Sequence, residues 1–439
     1  MATVASSTTA AVPSTSKHTL DDDQGPVPLF THTSQYQHYL FPTSSSSSSL
    51  RIALTAADED AGINSASALL LQQYYLLRLP LLSKAFGLSE KVLATSMTYF
   101  KRFWLQRGVA EPLDGSGSGG GNKLRAAKGV KVVMLICLYL ATKTHSTPIS
   151  LAAFAMRISG AVGGSGSEEA AAAIKETEQS IRDYEFEVAT VLSWRFRVTH
   201  AFEAARGMAL DLQCPDEGRD GAPPLQAEML KKLLGPLNAA SHSLRLTDGE
   251  FRYTPSQLAF GTWWSLTKRE GNEALDEGER ALLRALLQGW VKAKEEAAAA
   301  AEAKRANAPI PDVGKMKKAR GTANGDNSNG GGTPSTRRPL SSTTLLQEAD
   351  EIASLVSQGS ELEARLKGKE TLDEVKAIDA RLKEWAAGKE KQEVEEGAIA
   401  TASTAKRKAG EGASAEGEAG ATKRAKVRGE GAVDSDDDE

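Results

Sequence analysis

The residues able to do chemistry in this 439-residue chain are sparse, and their spacing argues against an active site. Cys137 and Cys214 are its two cysteines. Two thiols so far apart build neither a zinc site nor a disulfide framework, and they fit a reducing compartment. None of the six histidines stands at metal-ligand spacing from another or from a carboxylate. The glycine-rich runs 115–121 and 160–167 carry serine but not the lysine of a phosphate-cradling loop. No nucleophile is paired with a base. The expectation is a protein with no catalytic residue, no metal and no cofactor, working by binding.

Charge is informative only near the C-terminus. The formal net charge of -4 conceals basic clusters, Lys406-Arg407-Lys408 and Lys423-Arg424-Ala425-Lys426, set among acidic residues. Their spacing suits a bipartite nuclear import signal; the other reading is a tail that binds phosphate nonspecifically, and import is favoured. Ser435 lies within Asp434 to Glu439 and is a candidate for an acid-directed kinase. Neither a signal-peptide core nor a membrane span is present: the longest apolar run, Val132 to Ala141, is half the ~20 residues a bilayer requires. The chain is expected to be soluble, intracellular and nuclear, with no direct nucleic-acid or membrane contact.

The elements that must position any binding residue are helical. Residues 1–65 read as a largely disordered arm, except for the aromatic stretch 34–41, which is either loosely packed or docks on the body or on a partner. Leu69 to Leu79 reads as a buried helix ended by Pro80. Ser89 caps the next, where Leu93, Met97, Phe100 and Trp104 share one face. Within it Phe100 reads as core, Arg102 as the anchor of an internal salt bridge, and Lys101 as surface. Lys128 to Lys143 is apolar on every side and belongs at the centre of a bundle. Ser150 opens a short helix, and Glu168 to Trp194 a long one with the stripe Ile174, Ile181, Tyr184, Val188 and Leu192. A second helical block covers 199–304, with Thr254-Pro255 opening one helix and Asp276 with Glu279 forming a capping box before another. The expected order is a first unit at 66–198, a second at 199–304, a disordered insertion at 305–344, a charged helical segment at 345–396 and a disordered tail at 397–439.

Three strings in the first unit carry a family likeness: Met97-Thr98-Tyr99-Phe100-Lys101-Arg102-Phe103, Leu138-Tyr139-Leu140-Ala141-Thr142-Lys143, and Asp183-Tyr184-Glu185-Phe186-Glu187-Val188 leading to Leu192-Ser193-Trp194-Arg195-Phe196. In order and spacing they resemble the cyclin box. The likeness covers residues 66–300 and implies an all-α fold of two consecutive five-helix repeats with extra terminal helices. Lys101 in the first string, and Tyr253-Thr254-Pro255-Ser256-Gln257-Leu258-Ala259 in the second repeat, resemble the members that serve the kinase of transcription factor TFIIH.

The resemblance implies a non-enzymatic subunit that binds and activates a cyclin-dependent kinase. That kinase phosphorylates the C-terminal domain of RNA polymerase II and other cyclin-dependent kinases, with a third assembly subunit and the TFIIH core as further partners. It also implies kinase-binding roles for Lys143 and Glu185, and for Tyr36 and Tyr39 in the N-terminal segment. On the residues alone, Lys143 and Glu185 are equally ordinary helix-edge charges. The chain departs from the family after Lys143, where Thr144-His145-Ser146 replaces the usual acidic residues. Two alternatives remain: a cyclin of a mediator or elongation kinase, and a TFIIB-like DNA-binding protein. The absence of cysteine before Cys137 and the mixed charge of 66–300 weigh against the latter.

Overall fold

The computed structural model describes residues 30, 33–41, 55–111, 113–114, 123–124, 129–160, 168–214, 224–268, 275–306 and 341–412. The stretches expected to be disordered fall mostly outside these. Contacts divide the chain into residues 1–379, which hold both helical repeats, and residues 380–439.

Two short helices, α1 (Ser34–Tyr39) and α2 (Ala56–Asp60), precede the first repeat. That repeat comprises α3 (Ser65–Leu76), α4 (Arg78–Phe86), α5 (Glu90–Trp104), α6 (Gly129–Thr144), α7 (Leu151–Gly160) and α8 (Glu168–Val191). The caps follow local chemistry. Ser89 accepts the Val92 N–H, and Ser150 accepts that of Ala153. Pro80 does not end a helix as the sequence suggested. It sits in the first turn of α4, where its missing N–H costs nothing, and the break falls earlier, at Leu77. α6 lies at the centre, with Val133, Ile136, Cys137, Leu138 and Ala141 buried. β1 (Leu113–Asp114) pairs antiparallel with β2 (Lys123–Leu124) around the first glycine-rich run, a small addition to an otherwise helical fold.

The second repeat begins with α9 (Ala201–Gln213), α10 (Ala227–Arg245), α11 (Pro255–Lys268) and α12 (Glu277–Ala306). Both predicted start signals operate. Thr254 and Gln257 exchange bonds at the head of α11, and Asp276 and Glu279 at the head of α12.

The fifth helix of this repeat is α13 (Ser342–Leu366), part of the charged segment 345–396 that the sequence sets apart from the repeats and that either folds back on the body or forms a helical pair. Its Ala349, Ile352, Ala353 and Val356 join Phe260, Trp263 and Trp264 of α11 in one core. Small residues permit the approach: Gly261 lies under Ile352, and Gly359 lies against the Ser243 carbonyl of α10. α14 (Lys369–Gly412) follows. It passes residue 396, where disorder was expected to begin, because Ala, Glu, Lys and Arg favour the helix through 412.

Candidate functional site

Lys143 stands on the last turn of α6, where the helix emerges from the core and its dipole favours a cation. Its Nζ donates to Glu185 of α8 at 2.6 Å (Oε1) and 2.9 Å (Oε2), and lies 4.4 Å from the centre of the Tyr139 ring. The lysine side chain is 43% exposed and the carboxylate 25%. The two residues implied as a pair are therefore brought together from 42 positions apart, at a surface where both charges can still be reached.

The end of α6 fixes this lysine. Ser146 adopts the left-handed conformation at φ 53°. Thr147 N–H donates to Thr142 C=O at 3.0 Å and Ser146 N–H to Lys143 C=O at 3.4 Å, the two reverse bonds of a Schellman cap. The end of α8 repeats the pattern. Ser193 has φ 53°, Trp194 N–H donates to Ala189 C=O, and Ser193 N–H donates to Thr190 C=O. Glycine occupies the same position after α2 and α4, at Gly62 and Gly87. The two serine caps, at a position that ordinarily takes glycine, belong to the two helices carrying the pair.

Beside the pair lies an apolar surface that sequence reasoning missed. Phe186 and Trp194 are 59% and 57% exposed, with ring centres 5.7 Å apart and edge to face. Phe196 continues the row at 5.9 Å from Trp194. The available signal was position: Phe186 falls off the buried stripe of Ile181, Tyr184 and Val188.

The N-terminal aromatic stretch docks on the body. Tyr39 is buried, its hydroxyl donating to Leu192 C=O at 3.3 Å and its ring under the Arg102 guanidinium at 4.1 Å. Within this chain the Tyr39 side chain is thus fully engaged with α5 and the end of α8. Gln35, one turn earlier, exchanges two bonds with the backbone of Thr199. Tyr36 remains half-buried, its ring edge to face with Phe30.

Lys101, expected at the surface, forms the internal salt bridge expected of Arg102, while Arg102 is itself buried and bonds a backbone carbonyl. Lys101 reaches the second repeat, bonding Arg245 C=O (2.9 Å), Thr247 C=O (3.0 Å) and Glu250 (2.7 Å). Arg102 donates to Arg195 C=O at 3.1 Å and covers Tyr39. Burial pulls its guanidinium pKa down.

Lys406, Arg407 and Lys408 fall on the α14 backbone with side chains outside the described residues, and Lys423, Arg424, Lys426 and Ser435 lie outside them entirely. Among the described residues no three His, Cys, Asp or Glu converge as a metal site, and no helix is long and apolar enough to cross a membrane. Cys137 is buried in α6, which pushes its thiol pKa well up. Two imidazoles meet instead at one hydroxyl: Thr95 Oγ1 lies 2.6 Å from His145 Nε2 and 2.8 Å from His200 Nε2. Burial, more than any neighbouring charge, drives His200 down to about 3.

A buried central helix wrapped by the other helices of its repeat, in an arrangement repeated once, is the cyclin fold. A chain of the CAK complex from Chaetomium thermophilum bound to ATP-gamma-S shares it, with a TM-score of 0.52 at 16% identity over 81% of this chain and 88% of that one. In sequence the chain is cyclin H-like. Cyclin-H1-1 of Arabidopsis thaliana is 24% identical over 192 residues, 44% of this chain and 46% of that protein. Cyclin mcs2 of Schizosaccharomyces pombe is 28% identical over 143 residues, 33% of this chain and 35% of that one. The match thus spans about half the length of the first relative and a third of the second. No family model matches.

Proposed function

We propose that this chain is the regulatory subunit of a cyclin-dependent kinase of the TFIIH type, itself without catalytic groups, acting in the nucleus. The observation that carries the reading is the exposed Lys143–Glu185 pair beside Phe186 and Trp194, on a cyclin fold. The ammonium suits backbone carbonyls of the kinase small lobe, and the carboxylate suits N–H groups at a helix N-terminus. Phe186 and Trp194 supply the apolar contact that anchors such an interface. Holding that kinase helix inward completes the Lys–Glu ion pair on which phosphoryl transfer depends. A third assembly subunit and the TFIIH core are the further partners, and the polymerase C-terminal domain and other cyclin-dependent kinases the substrates of the complex.

The double reversal Lys143→Glu with Glu185→Lys preserves the internal pair but presents each charge where its opposite is needed. Kinase affinity is expected to fall at least about 30-fold, from the ~2 kcal/mol lower bound for losing a paired interfacial charge, with helicity by circular dichroism unchanged. Undiminished kinase capture by the folded double variant would overturn the site.

A further inference from the structure

The turn that fixes Lys143 also offers an acceptor for phosphate. Thr147 is followed by Pro148, both are exposed, and residues 147–150 form no regular structure. The chain has two other Thr-Pro steps. At Thr254-Pro255 the threonine hydroxyl is engaged with Gln257 and the proline is buried in α11. The step at 333–334 lies outside the described residues. Among the described residues, Thr147 alone places this dipeptide on exposed backbone outside regular structure.

Its hydroxyl has a structural task. Thr147 Oγ1 donates to Thr142 C=O at 3.3 Å, reinforcing the bond its own N–H makes to the same carbonyl. The neighbouring cap bond, from Ser146 N–H, ends on Lys143 itself.

We propose that Thr147 is a phosphoacceptor for a proline-directed protein kinase, and that phosphorylation there uncouples Lys143 from Glu185. In the transfer, Thr147 Oγ1 bonds to the γ-phosphorus of ATP as the bond to ADP breaks. The hydroxyl proton passes to a base of the modifying kinase, and ADP leaves. The product has no O–H to give Thr142 C=O, and it carries a charge of about −1.5 to −2 at neutral pH. That charge faces the carbonyls at the C-terminal end of α6, where the helix dipole is already negative. The cap loosens, and the Lys143 ammonium gains a second anion in competition with Glu185. The consequence for kinase binding rests on the function proposed above; the modification and the opening of the cap do not.

The test begins with the full-length chain, ATP and a cyclin-dependent kinase already active with a different cyclin, followed by phosphopeptide mapping. Phosphate is expected on Thr147, and is expected to be lost in Thr147→Val and Pro148→Ala variants of unchanged helicity. Absence of phosphate at Thr147 in the wild-type chain overturns the proposal. In the stoichiometrically phosphorylated protein, amide exchange at 145–147 is expected to accelerate, and affinity for the kinase partner to fall about tenfold. Unaltered exchange overturns the uncoupling whatever the kinase result. If the unmodified chain captures no kinase, the earlier reading fails, while mapping and exchange still decide this one.

Discussion

Lys101 and Arg102 are adjacent on α5, about 100° apart around the helix, and only the docking of the second repeat decides which of them faces it. The amphipathic stripe of α5 could be read from sequence, and Phe100 sits in the core as expected. The partner of Lys101 could not, because Glu250 lies far along the chain and is brought near only by packing. The Lys101–Glu250 pair is largely buried, and Thr98 adds a bond to the same carboxylate at 2.7 Å. Lys101→Met leaves that carboxylate without its cation and is expected to cost about 3 kcal/mol. Adding Glu250→Gln should recover much of this, and chemical denaturation midpoints of the two variants measure the difference. His200 makes a second prediction at this scale. Its pKa lies near 3 when folded, against 6.5 in the open chain. Between these values the unfolded state binds a proton that the folded state refuses. The contribution of neutral His200 is therefore complete above about 6.5 and is lost as pH falls below it, by at most about 1.4 kcal/mol per unit. Thermal melts from pH 7 to 5 should show the decline, and His200→Gln should reduce it, leaving the smaller part due to His145 and His242, which burial also holds below the ordinary value.

At the scale of elements, starts of helices were more legible than ends. Ser89, Ser150 and Asp276 cap as their types and spacing indicated, since an N-cap is a local hydrogen bond that a side chain declares, and Pro255 opens α11 as its fixed φ allows. The ends of α6 and α8 declare nothing, because serine there takes the backbone shape usually left to glycine. Holding a side-chain-bearing residue left-handed costs about 1 kcal/mol. Ser146→Gly and Ser193→Gly are each expected to raise unfolding stability by about that amount, with a higher denaturation midpoint as the measure. The Lys143–Glu185 pair was legible only through the family likeness, as nothing in the spacing of a lysine and a glutamate 42 positions apart announces a contact. Phe186 and Trp194 stood in the quoted strings, but their exposure depends on which face α8 buries.

For the molecule as a whole, the two-repeat plan was visible in the apolar periodicity, and the membership of α13 was not. Its buried face is built from small and branched residues, Ala349, Ile352, Ala353 and Val356, on a helix rich in charge, and the stretch 307–340 separates it from α12. What identifies it is fit. A Cβ on Gly359 would meet the Ser243 carbonyl oxygen inside van der Waals contact. Gly359→Ala is therefore expected to cost about 3 kcal/mol and to speed hydrogen exchange across α10 and α11 while sparing α6. The late arrival of this helix also imposes a timetable on synthesis. After Ala306 leaves the ribosome, roughly sixty more residues must be added before Leu366 completes α13. At about 5–20 residues per second, that leaves Phe260 and Trp264 without their cover for several seconds. The nascent chain then carries a finished first repeat joined to an open-sided second one, and that interval is when a chaperone would find most to hold.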